Sequence, residues 1–117
     1  MRLASIAVLA VLVTPVWADA PGVAGVTVTR SDDAARIDVT ISHPDTGWDH
    51  YADGWEVLAA DGSRIGMREL AHPHVDEQPF TRSLSGVVIP AGATEIMIRT
   101  RCNVDGWSVE TVTVQLP

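Results

Sequence analysis

The chain has 117 residues, 15 acidic against 8 basic side chains and a formal net charge of −7. This length fits one domain, and the negative charge excludes phosphate backbones and anionic lipid as natural partners. All eight basic residues are arginine, which excludes a lysine nucleophile or Schiff base, and the single cysteine, Cys102, excludes an intrachain disulfide.

Met1-Arg2 and the apolar run 3–16 have the charged start and short hydrophobic centre of a secretory signal peptide. Val16-Trp17-Ala18 supplies small residues before a cut. The run is shorter than the roughly 20 residues a membrane span needs. Cleavage after Ala18 divides the chain into a leader, 1–18, and one exported domain, 19–117, periplasmic or secreted, with no membrane insertion after cleavage.

Residues 22–30 alternate Val26 and Val28 with threonines, the period of a half-buried strand, and Ser31-Asp32-Asp33 turns the chain. Residues 35–42 repeat the pattern with Ile37, Val39 and Ile41 on one face. From 43 to 54 no period persists, and Pro44, Gly47 and Gly54 mark a long loop. Trp55, Val57 and Ala59 form the inward face of a third strand, and Asp61-Gly62 makes a hairpin turn into residues 64–70. His72-Pro73-His74-Val75-Asp76-Glu77-Gln78-Pro79 follows as an edge strand or loop, because each proline removes a backbone donor. Residues 80–88, 94–102 and 108–116 complete the strands. Ile96, Ile98 and Cys102 face in on the sixth, and Val112, Val114 and Leu116 face in on the last. Seven short strands without a helical period predict an all-β antiparallel sandwich.

Several strings resemble the fibronectin type III or wider immunoglobulin-like sandwich. Gly54-Trp55-Glu56-Val57 is similar to its third strand. Leu84-Ser85-Gly86-Val87, Pro90, Gly92 and Thr94-Glu95-Ile96-Met97-Ile98-Arg99 are similar to its fifth strand, turn and sixth strand. The departures are Ile41 in place of a second-strand Trp, Ile96 in place of a corner Tyr, and two extra residues in the turn. The resemblance implies that the loops after the second, fourth and sixth strands share one end, which gathers His43, His50, His72 and His74.

Along an extended segment His72, His74 and Asp76 project from one face, and with His43 or His50 they form a candidate copper or zinc site. The plainer alternative is a proline-stiffened connection with solvated histidines. Cys102 reads as a small buried residue, or as a soft ligand if its strand end twists outward. Calcium is a weaker alternative, carried by Asp45, Asp49, Asp53, Asp76, Glu77 and Asp105. Trp48, Tyr51 and Trp107 are candidates for a protein, peptide or glycan surface, or for covering the open end of the core. No Gly-x-Ser-x-Gly elbow or other nucleophile motif is present, so the sequence does not read as an enzyme. The readings are a small exported binding module, a periplasmic metal-binding protein, or a structural component that pairs through an edge strand.

Overall fold

A computed structural model describes residues 20–117; the leader and its cleavage point lie outside them. Eight strands form two antiparallel sheets: β1 (Gly22–Ser31), β2 (Ala34–Ser42), β3 (Ala52–Leu58), β4 (Arg64–Glu69), β5 (Phe80–Val88), β6 (Glu95–Cys102), β7 (Gly106–Trp107) and β8 (Val112–Gln115). The smaller sheet runs β1-β2-β5. The larger runs β4-β3-β6-β7, with β8 also paired to β6. No helix occurs among the described residues, and so none is long and apolar enough to cross a membrane.

The alternation that predicts β2 and β6 has a direct physical outcome. Ile37, Val39 and Ile41 of β2 face Trp55 and Val57 of β3 and Ile96 and Ile98 of β6, all essentially without solvent contact. Each such aliphatic side chain contributes about 1.5–3 kcal/mol of hydrophobic stabilisation. At Gly66 a Cβ would stand 2.8 Å from Leu84 Cδ2 and 3.3 Å from Val87 Cγ2, so a side chain there would force Leu84 to shift where β4 crosses β5.

The C-terminal strand differs from expectation. Of residues 108–116 only Val112–Gln115 forms a strand, β8, while Gly106–Trp107 pairs with β6 as a separate β7, which gives eight strands where seven are predicted. Val114 and Leu116 pack against the core, but Val112 is 41% exposed and does not face in.

The central strand β3 also buries a charge that its pattern assigns to the solvent side. Glu56 is 2% exposed because Arg64 Nε and Arg99 Nε, from the strands on either side, donate to its two oxygens at 2.8 and 2.6 Å. Arg64, Arg99 and Arg101 then lie 4.9–5.4 Å from the Trp107 ring, covering this outer face with cation–π contacts.

Candidate metal centre

The loop between β2 and β3 starts at His43 and returns through a tight turn. Gly47, at φ 143°, bridges to His50, and His50 N–H donates to Gly47 O at 3.2 Å. His50 is thereby held two residues before Ala52, the first residue of β3. Ala52 pairs across the sheet with Cys102, the last residue of β6. This register sets Cys102 against the histidine loop although 52 residues separate it from His50.

Asn103 locks the two loops together. Its Nδ2 donates to the carbonyls of Trp48 and Asp49 at 3.1 and 3.3 Å, and its Oδ1 accepts from Tyr51 N–H at 2.8 Å. Gly106, at φ 77°, then lets the chain turn back as β7.

One atom each of His43, His50 and Cys102 lie within 4.8 Å of one another. His50 Nε2 is 3.6 Å from Cys102 Sγ. Ligand bonds of about 2.3 Å to sulfur and 2.0–2.1 Å to nitrogen give a tetrahedral S···N edge of about 3.5 Å, so this pair already has the spacing of two ligands on one ion.

His43 supplies a second, independent observation. Its Nδ1–H donates to Asp45 Oδ1 at 2.6 Å, and both side chains are fully buried. Asp45 Oδ1 also accepts from Ala52 N–H, which fixes the carboxylate as acceptor and the ring as donor through Nδ1. Nε2 then carries the lone pair, and it is buried without a hydrogen-bond partner. A buried, unpaired imidazole nitrogen costs about 1–3 kcal/mol unless something binds it. A carboxylate behind a histidine is also the arrangement that orients metal-ligating imidazoles.

The sulfur is also tied to the turn that follows it: Asp105 N–H donates to Cys102 Sγ at 3.2 Å. Cys102 is 1% exposed and His50 half-buried. Burial of the cysteine and its closeness to the histidines, which the sequence sets against each other, hold together.

The proline-rich segment is placed differently. It bends instead of running as a strand, so burial does not alternate as a single projecting face requires: His74 is buried, while His72 and Asp76 are exposed. The four histidines fall into two pairs, His43 with His50 at 4.8 Å and His72 with His74 at 4.5 Å between ring centroids. His74 stacks on Phe80 at 3.8 Å, and its Nε2 accepts from Arg82 at 2.8 Å. The segment braces the His43–His50 loop instead. His74 N–H donates to Asp45 Oδ2, and Gln78 accepts from His43 N–H through Oε1 while donating to His74 O through Nε2.

Among the described residues, no group built from the carboxylates proposed for calcium comes together. Asp45 is spent on the bonds above and Asp53 on Arg101. Trp48 is 67% exposed and meets Tyr51 edge-on at 5.5 Å, whereas Trp107 is enclosed by its three arginines.

Burial of His74, then the nearby Arg82 and His72, push its pKa below the usual 6.5, against the opposing pull of Glu77 and Asp45. The unfolded chain therefore takes up the proton first. Stability is full above about pH 6.5 and falls as pH drops below it toward the folded-state value. Unfolding midpoints measured from pH 8 to pH 5 should show this loss, and His74→Gln should flatten it. An unchanged pH slope in that variant would assign the acid sensitivity elsewhere.

The fold and site together define a small all-β sandwich with a histidine–cysteine cluster at one end. No protein-family model matches the chain. Over 81 residues it is 38% identical to a protein of Halomicrobium mukohataei named "Putative lipoprotein"; the match covers 69% of this chain and 39% of that relative. A crystal structure of a hypothetical protein from Pyrococcus horikoshii OT3 superposes with a TM-score of 0.55 at 17% identity, covering 84% of this chain and 88% of that one, and shares the fold.

Proposed function

We propose that the protein is an exported transition-metal-binding module of the immunoglobulin-like class, holding its ion with Cys102 Sγ, His43 Nε2 and His50 Nε2. The observation that carries this reading is the unpartnered, buried Nε2 of His43 in a cluster where one atom each of His43, His50 and Cys102 lie within 4.8 Å and the thiol and the His50 imidazole are already 3.6 Å apart. One sulfur and two imidazoles suit copper, zinc or iron(II) better than calcium or magnesium. Export is supported by the leader-like start and by the lipoprotein name of the Halomicrobium relative. The class is supported by the division into β1-β2-β5 and β4-β3-β6 sheets.

The test is metal analysis of the purified chain, then titration with copper, zinc and iron(II) followed by thermal unfolding. An ion at 100 times its dissociation constant adds about 2.7 kcal/mol. About one bound equivalent and a raised midpoint are expected. No retained metal and no shift with any of the three ions would falsify the reading.

The exposed Trp48, against Tyr51, favours a second role for the same end of the sandwich as a contact surface for a protein, peptide or glycan.

A further inference from the structure

We infer that Asp105 is the fourth ligand of this centre, which makes it a one-thiolate, two-imidazole, one-carboxylate site selective for a divalent ion over copper(I). The inference rests on the metal-binding reading above. Asp105 Oδ2 lies 3.7 Å from Cys102 Sγ, next to the 3.6 Å separation of Sγ from His50 Nε2. Each is close to the roughly 3.5 Å edge of a tetrahedron around an ion with these bond lengths; Asp105 meets the group at its sulfur and lies outside the 4.8 Å cluster of His43, His50 and Cys102 atoms. The four-residue turn that carries Asp105 is fixed twice, by its own N–H on the sulfur and by the three side-chain hydrogen bonds of Asn103 to the 48–51 backbone. The backbone of the turn is thus held at the sulfur, and Asp105 is half-buried.

Charge specifies the kind of ion. Without metal the Cys102 S–H donates a hydrogen bond to Asp105 Oδ2 at 3.7 Å. Metal binding releases that proton to solvent and leaves a thiolate and a carboxylate 3.7 Å apart. Two like charges so close and so poorly hydrated are unfavourable unless a cation bridges them. A divalent ion makes the set of four ligands neutral, whereas copper(I) leaves one negative charge and gains little from a hard oxygen donor.

The probe is cobalt(II), titrated into the purified wild-type chain and Asp105→Asn. Wild type should show a sulfur-to-cobalt charge-transfer band and the intense ligand-field absorption of a four-coordinate ion. Asp105→Asn should keep the charge-transfer band, lose ligand-field intensity as water enters, and bind cobalt(II) about 10-fold or more weakly with little change for copper(I). Asp105→Ala removes the same oxygen and should behave alike, which guards against one variant failing to fold. Unchanged affinity and ligand-field intensity in both variants would overturn the role of Asp105 while leaving the thiolate–imidazole site standing. Absence of the charge-transfer band in wild type would remove the site and this inference together.

Discussion

Cys102→Ala is expected to cut metal-induced stabilisation from about 2.7 to about 0.4 kcal/mol when free metal is set at about 100 times the wild-type dissociation constant. The smaller figure follows from an affinity loss of about 100-fold, the upper end of what changes behind the ligands already cost. For a domain of this size the difference amounts to roughly 10–20 °C in the unfolding midpoint. Sulfur is the only soft donor in the cluster, so its loss also removes the charge-transfer absorption that reports on it. The metal-free variant is expected to stay folded, because Cys102 is a small side chain at the end of β6 and the Ile96–Ile98 packing below it is untouched. The measurement is a pair of unfolding curves, with and without zinc, for wild type and variant. Equal zinc-induced shifts in both would place the ion elsewhere, and a metal-free variant that fails to fold would show that Cys102 is needed for packing first.

Much of the fold is legible because alternation and burial are one fact seen twice. Ile37-Val39-Ile41 and Ile96-Ile98 announce β2 and β6, residues 80–88 coincide with β5, and Asp61-Gly62 closes the β3–β4 hairpin with Gly62 at φ 89°. The illegible parts depend on neighbours that are distant in sequence. Glu56 looks like a solvent-facing strand residue until Arg64 and Arg99 arrive from both sides. Val112-Val114-Leu116 keeps its period, yet the break at 108–111 leaves Val112 at the surface.

The candidate site divides in the same way. His43 and His50 stand out as two imidazoles in one loop, but their sulfur partner is set by the pairing of Ala52 with Cys102, a register that no local pattern encodes. His72-Pro73-His74 draws attention by density alone, although Arg82 occupies the Nε2 of its buried histidine. Asp45 resembles any loop aspartate until the donors that converge on it are counted. A Cys-x-x-Asp-Gly turn directly after a strong strand, facing a His-rich loop, is the signal that comes nearest to disclosing the centre.

Asp45→Ala should be the most damaging single change in the loop, at about 3–5 kcal/mol, because three buried donors share its carboxylate. One carboxylate accepts from His43 Nδ1 at 2.6 Å, Ala52 N at 3.0 Å and His74 N at 2.8 Å. Alanine leaves all three buried donors unpaired, at about 1–3 kcal/mol each before the loop relaxes. A midpoint lowered by more than about 12 °C is expected in chemical or thermal unfolding without metal. Asp45→Asn keeps an oxygen for His43 and Ala52 but turns an N–H₂ toward His74 N–H, so its loss should be smaller. In metal titration both variants should bind about 10–100-fold more weakly, because the His43 ring loses the partner that holds Nε2 on target. Wild-type stability in Asp45→Ala would mean that the loop is held by Gln78 and Asn103 alone. The two oxygens divide their work, Oδ1 on the His43–Ala52 loop and Oδ2 on the His72–Pro79 segment. The proline-rich segment thus reaches the histidine–cysteine cluster through Asp45 and the Gln78 clamp: its contribution is to hold the carboxylate that aims His43.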